Sequence, residues 1–121
     1  MLELIEDMPG NVLAIKASGE VTAEDYETIM VPAVEARLKQ FDKVRMLYEL
    51  GPEMNGFTAG AMWQDAKVGM SHLLSFEKIA VVTDHAWVAN GVRAFAFMIP
   101  CPVKIFSTAE RDAAKNWIST D

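Results

Sequence analysis

The sequence is poor in cysteine and in basic residues, and it has no long apolar run. A single cysteine, Cys101, among 121 residues excludes an internal disulfide and any all-cysteine metal site. Lys and Arg number 11 against 17 Asp and Glu, and the net charge of −6 argues against nucleic-acid binding and against simple electrostatic attachment to anionic lipid. No stretch reaches about 18 apolar residues, so we expect no stable membrane insertion.

Sequence signatures of common enzymes are absent as well. There is no Gly-rich phosphate loop, no G-x-S-x-G elbow and no H-E-x-x-H motif. The N-terminus has no basic region followed by an apolar run, so we expect a cytoplasmic protein. We expect no enzyme, no cofactor and no metal site. What is present is 51% hydrophobic and 23% charged residues, which is typical of one folded domain spanning residues 1–121.

Apolar runs and turn residues divide the chain into alternating strands and helices. Strands are predicted at residues 2–6, 12–17, 44–50, 79–82 and 103–106. Helices are predicted at residues 22–41, 58–74, 86–99 and 109–119. The order ββαβαβαβα indicates an α/β fold, in which an N-terminal hairpin is followed by parallel strands with right-handed crossovers. The uniformly apolar run 79–82 is predicted to lie at the middle of the sheet, and residues 51–56, with two glycines and a proline, to be irregular.

Two local features define the first helix. Thr22 and Asp25 have the spacing of a capping box, in which the hydroxyl accepts from a first-turn N–H. Pro32 falls inside the helix, where it removes one backbone hydrogen bond, and we expect a kink there.

The second helix places Asp65, Gly69 and His72 on one face. A carboxylate and an imidazole on one face could form an acid–base pair or, with Asp84 or His85 as a further ligand, a metal site. The seven-residue spacing separates them by roughly 10 Å along the axis, which is too far to share one ion directly. We favour the simpler interpretation that Asp65 bonds a loop, His72 is half-buried and Gly69 marks close packing on the sheet.

The third helix is apolar nearly all round, with Arg93 as its only charged residue. Such a helix must pack against other apolar groups on more than one side. Three interpretations remain open: a helix sandwiched in the core, a dimer interface, or the wall of an apolar ligand cavity. Eight methionines in the chain favour an adaptable apolar surface, because the thioether side chain fills irregular spaces.

Thr58 is a candidate N-cap of the second helix. A phosphate on its hydroxyl would lie against the helix N-terminus, which makes Thr58 a candidate regulatory phosphosite. N-capping alone also explains a threonine at this position.

The chain resembles the SpoIIAA-like family of small bacterial proteins. The residues that carry the resemblance are residues 22–26, 32–35, 62–69, 76–84, His72 and Trp87. The family is similar in fold to STAS domains and to CRAL-TRIO lipid-transfer domains. The resemblance implies a right-handed βα superhelix with an antiparallel first strand and parallel strands after it, and no established catalytic activity. Phosphoregulated STAS antagonists carry Asp-Ser-x-Gly at the start of the second helix, whereas this chain has Thr58 at the serine position and no aspartate before it.

The sequence therefore gives three hypotheses for function. The first is a non-enzymatic module that binds an apolar small molecule or lipid, lined by Trp63, Trp87, Phe95 and Met98, with Asp65, Lys67 or His72 near a polar end. The second is a protein-interaction or regulatory module, such as a homodimer or an anti-sigma-antagonist-like binder of a partner, that uses the third helix. The third is a metal-assisted enzyme that uses Asp65, His72 and Asp84.

Overall fold

A five-stranded sheet forms the centre of the fold. The computed structural model describes residues 1–120. The strands are β1 (Leu2–Ile5), β2 (Val12–Val21), β3 (Val44–Phe57), β4 (Phe76–Thr83) and β5 (Val103–Phe106). They lie in sequence order across the sheet, with β1 antiparallel to β2 and all later neighbours parallel. The predicted α/β class, the N-terminal hairpin and the parallel sheet are confirmed.

Four helices accompany the sheet. They are α1 (residues 23–40), α2 (Ala59–Ser71), α3 (Ala86–Ala96) and α4 (Arg111–Ser119). Short 3₁₀ turns, Leu73–Ser75 and Thr108–Glu110, follow α2 and precede α4. None of the helices in the described part of the chain combines the length and the apolar character that crossing a bilayer requires.

Helices α1, α2 and α3 cover one face of the sheet, and α4 covers the other. Tyr26, Val34, Val68 and Val88 from the first three helices belong to one buried cluster with residues of β2, β3 and β4. Ala114 and Ile118 of α4 belong to a second cluster, which also contains Val12, Ala14, Leu47, Ala80, Val82 and Phe106. Parallel neighbours joined by right-handed crossovers place their helices on the same face, and this accounts for the asymmetry.

Strand β3, rather than β4, is the central strand. Seven successive residues from Val44 to Leu50 are buried, because β3 is flanked by β2 and β4 and covered on both faces. The prediction that residues 79–82 lie at the middle of the sheet is wrong by one strand, since β4 lies between β3 and the edge strand β5.

The segment 51–56 continues β3 and is not irregular. Met54 pairs with Gly19 and Phe57 pairs with Val21, so the far end of β2 supplies the hydrogen-bonding partner that holds this segment extended. Register shifts on either side of Gly19, whose φ is 58°, absorb the local irregularity. The prediction was wrong because it considered the glycines and the proline without the pairing partner.

Helix α1 begins and bends as its sequence requires. Thr22 and Asp25 form the predicted capping box. A π-helical turn, Tyr26–Met30, ends two residues before Pro32, and the Val31 N–H bonds to the Tyr26 carbonyl five residues back. Where the sequence predicts a kink, the wider turn accommodates a proline that has no N–H to donate.

We expect Thr22→Ala to lower the free energy of unfolding by about 1 kcal/mol, because it removes the acceptor for the Asp25 N–H. Thr28→Ala is the matched control, since the Thr28 hydroxyl bonds only to the Glu24 carbonyl within the helix. Urea unfolding followed by circular dichroism measures both variants. Equal losses in the two would contradict the capping role of Thr22.

Candidate functional site

Large apolar side chains are exposed on α2, on α3 and on the turns that follow them. We call them the exposed apolar surface; its members are Met62, Trp63, Met70, Leu74, Trp87, Phe95, Phe97 and Met98. Their exposed fractions run from 49% for Met98 to 83% for Phe97. Elsewhere in residues 1–120, Met1 and Leu4 are the only other exposed large apolar residues.

The inner sides of these two helices bury little. Helix α2 buries only Ala61 and Val68, and α3 buries only Val88. The interpretation of α3 as a helix sandwiched in the core is therefore wrong. Helix α3 also ends at Ala96, three residues before the predicted end at residue 99.

The four apolar residues predicted to line a ligand site all lie on this surface. Trp63 is on α2, whereas Trp87, Phe95 and Met98 are on α3 or just beyond it. Trp87 makes an edge-on contact with Phe57, with ring centroids 6.0 Å apart, which joins the start of α3 to the end of β3. Met62, Met70, Leu74 and Phe97 were not among the predicted lining residues, although the eight-residue spacing of Met62 and Met70 places both on one stripe of α2.

Neither of two surface hollows in the described part of the chain is lined by α3. One hollow of about 230 Å³ lies on α2 between Trp63, Ala66, Lys67, Met70 and Ser71. We call it the α2 hollow. The other, of about 250 Å³, lies between α1 and the N-terminal hairpin and is lined in part by Leu4.

A chain of hydrogen bonds runs beneath α2. The Tyr26 hydroxyl donates to Asp65 Oδ1 at 2.7 Å and lies 2.9 Å from the Tyr48 hydroxyl. Because the single Tyr26 proton is directed to Asp65, the Tyr48 hydroxyl must donate to Tyr26. Asp65 was predicted to bond a loop; its partner is instead a fully buried tyrosine of α1. These hydrogen bonds thus join α2 to α1 and to the central strand β3.

Burial sets the protonation of this hydrogen-bonded chain. It raises the pKa of Tyr26 and of Tyr48 well above the ordinary value of 10.0, so both hydroxyls keep their protons. Burial also raises the pKa of Asp65, and the hydrogen bond from Tyr26 opposes that rise. The Asp65 residue as a whole is exposed. The part-buried bond to Tyr26 shows that one side of its carboxyl group is turned inward, and this burial is the cause of the raised pKa.

The other polar residues predicted to have a role on α2 or at its ends lie at separate positions. Lys67 is exposed, and His72 is half-buried at the end of the helix, where its N–H bonds to the Val68 carbonyl. Thr58 is confirmed as the N-cap, since its hydroxyl accepts from the Ala61 N–H at 3.0 Å. Its role as a phosphosite stays a prediction.

Close packing on α2 occurs at Gly60 and not at Gly69, where it was predicted. A Cβ at Gly69 would meet nothing within 4 Å, so the prediction of close packing at Gly69 is wrong. The close approach is at Gly60, where a Cβ would lie 3.1 Å from Ala23 Cβ. Glycine at position 60 lets the first turns of α1 and α2 come together.

The structure does not assemble the predicted metal-assisted site. The Asp84 carboxylate accepts from the backbone N–H and the hydroxyl of Thr108, and these bonds hold the pKa of Asp84 below its ordinary value. Asp65 is bonded to Tyr26 instead. Within residues 1–120 no three His, Cys, Asp or Glu side chains are grouped so as to hold a metal ion.

Comparisons with known proteins agree on one family. A family model described as SpoIIAA-like matches residues 12–119. A crystal structure of an uncharacterized protein with a SpoIIAA-like fold from Shewanella loihica PV-4 is similar, with a TM-score of 0.77 and 26% sequence identity. The match covers 97% of this chain and 93% of that one. A search of curated proteins finds no match.

Tyr26→Phe is expected to raise the pKa of Asp65 further, because it removes the hydrogen bond that stabilises the carboxylate. Carbon-13 NMR titration of the side-chain carboxyl measures the change. Tyr48→Phe is the control, since it leaves the Tyr26–Asp65 bond in place. A Tyr26→Phe variant with an unchanged or lower pKa at Asp65 would show that the bond does not stabilise the charged form.

The raised pKa of Asp65 also predicts the pH dependence of stability. The native state holds this proton more tightly than the unfolded chain, whose value is near 3.8. The stabilisation is therefore fully present below pH 3.8 and is lost as the pH rises through the native pKa. Urea unfolding across this range gives the free energy of unfolding of the wild-type protein and of Asp65→Asn. The wild-type value minus the Asp65→Asn value should fall as the pH rises. A difference that grows with pH would contradict the raised value.

Proposed function

This chain belongs to the SpoIIAA-like family, and we propose that it is a non-enzymatic module that binds a lipid or another apolar small molecule on the exposed apolar surface. One observation carries the proposal: eight of the ten exposed large apolar side chains lie on α2, α3 and the turns after them. Exposed apolar side chains scattered singly are ordinary, whereas their concentration on one part of a protein marks a binding surface.

Physical chemistry favours covering this surface. Fully burying one side chain such as Leu or Phe stabilises a complex by about 1.5–3 kcal/mol. Trp63 and Trp87 add large rings with a polar edge, which suit the boundary between an apolar ligand and water. Met62, Met70 and Met98 add flexible thioethers that adapt to ligands of varied shape. The residues present thus suit acyl chains better than a rigid polar ligand.

The position of the surface also supports this function. The inner sides of α2 and α3 pack into the same buried cluster, so their outer sides face away from the same face of the sheet. The Phe57–Trp87 contact brings the start of α3 to the strand end that leads into α2. An elongated apolar ligand lying on this side of the molecule could therefore contact both helices.

An alternative is a protein-interaction module in which the exposed apolar surface is covered by a second copy of the chain or by a regulatory partner. The observation that favours it is the exposure of Trp87, Phe95 and Phe97 on α3 and the turn after it, since aromatic side chains are enriched at protein interfaces. The two functions differ in what covers α3.

Leu74→Gln is expected to weaken binding of dodecanol and dodecanoate about tenfold, because Leu74 is 76% exposed and contributes to the proposed surface. Leu4→Gln is the matched control, since Leu4 is an exposed leucine on β1, distant in sequence from α2 and α3. Isothermal titration calorimetry gives the affinities, and mass spectrometry of an organic extract identifies any lipid purified with the protein. No binding of either probe, together with no extracted lipid, would refute the function.

The protein-interaction alternative predicts a homodimer by light scattering, with twice the 13.4 kDa mass of the chain. Phe95→Asp should return the mass to that of a monomer, because it places a charge on the 64% exposed ring position of α3. Leu4→Gln again serves as the control and should leave the dimer intact. A monomeric wild-type protein in which lipid binding is lost on Phe95→Asp would favour the first function over the second.

A further inference from the structure

We propose that the α2 hollow binds the anionic headgroup of a single-chain amphiphile, such as a fatty acid, through the Lys67 ammonium. This inference rests on the proposed function and specifies its ligand class. The hollow is lined by three apolar side chains, Trp63, Ala66 and Met70, together with Lys67 and Ser71. It thus combines one cation and one hydroxyl with an apolar wall.

The charges on α2 and α3 are the first support. Residues 59–75 and 85–102 contain only three formally charged side chains, Asp65, Lys67 and Arg93. The Asp65 carboxylate already accepts a hydrogen bond from Tyr26. Two of these three charges, on Lys67 and Arg93, are therefore cations among exposed apolar residues, although the chain as a whole has a net charge of −6. Such a surface is complementary to an apolar ligand with a negative end.

The surroundings of Lys67 are the second support. In residues 1–120 its ammonium has no carboxylate within ion-pair distance and no hydrogen-bond acceptor, whereas Lys78 donates to the carbonyls of Trp117 and Thr120. Trp63 lies four residues before Lys67 and Met70 three residues after it, so both neighbour it on the helix surface. An anion paired with this ammonium would be partly shielded from water by these side chains, which strengthens the pairing.

The size of the hollow selects the kind of amphiphile. A volume of about 230 Å³ is smaller than the roughly 300–1,000 Å³ of pockets that enclose a whole ligand. It suits a headgroup and the first part of one chain, while the rest of the chain lies on the exposed apolar surface. The net charge of −6 also disfavours close approach to an anionic bilayer, but it opposes a single anion in contact with Lys67 far less.

The experiment compares dodecanoate with dodecanol, which share one chain length and differ in headgroup charge. Calorimetric titration is carried out below the aggregation concentration of each probe. We expect the wild-type protein to bind dodecanoate about three- to tenfold more tightly than dodecanol. Lys67→Gln should abolish this preference by weakening dodecanoate binding more than dodecanol binding, and Lys67→Arg should retain it. Arg93→Gln is the matched control on the same surface and should also retain it.

The outcomes separate this inference from the proposed function. If neither probe binds, the proposed function fails and the inference fails with it. If dodecanol binds as tightly as dodecanoate, or Lys67→Gln keeps the preference, the function stands and the headgroup site is refuted. An equal loss in Lys67→Gln and Arg93→Gln would show a general effect of surface charge. Binding only to vesicles of phosphatidylcholine and phosphatidylglycerol would overturn the single-chain ligand in favour of a bilayer.

Discussion

The connection of parallel neighbours in sequence order is the constraint on which the rest of this structure depends. Strands β2 to β5 lie side by side in the order in which they occur, so every crossover has the same hand and α1, α2 and α3 lie on one face. Helix α4 alone covers the other face. Within residues 1–120, no further layer lies outside α2 and α3, and their outer sides therefore meet solvent.

This arrangement makes the inner side of α2 unusually dependent on polar contacts. The helix buries only Ala61 and Val68, and Ala61 contributes little apolar area. The hydrogen bonds from Tyr48 to Tyr26 and from Tyr26 to Asp65 supply a directional attachment that those two side chains do not. A helix that keeps its large apolar residues on the outside can thus still occupy a fixed position on the sheet.

The sequence predicted the features that local chemistry determines and missed those that depend on distant partners. The β5 bounds and the caps at Thr22 and Thr58 followed from residues within one turn or strand. The extension of β3 through residues 51–56 depended on pairing with the far end of β2. The partner of Asp65 is 39 residues away and has no local signature. The exposure of α3 was equally out of reach, since a helix apolar on all sides has no periodicity to indicate its inner face.

Net charge and local charge lead to different conclusions about ligands. The value of −6 for the whole chain argues against anionic surfaces, yet two of the three charged side chains on α2 and α3, Lys67 and Arg93, are cationic. Electrostatic interactions between exposed groups are screened over about 8–10 Å, so a ligand on α2 is influenced mainly by the charges beside it. A single anion in contact with Lys67 therefore experiences local attraction, whereas an extended anionic surface also meets the acidic remainder of the protein. The same chain can disfavour an anionic bilayer and favour an anionic amphiphile.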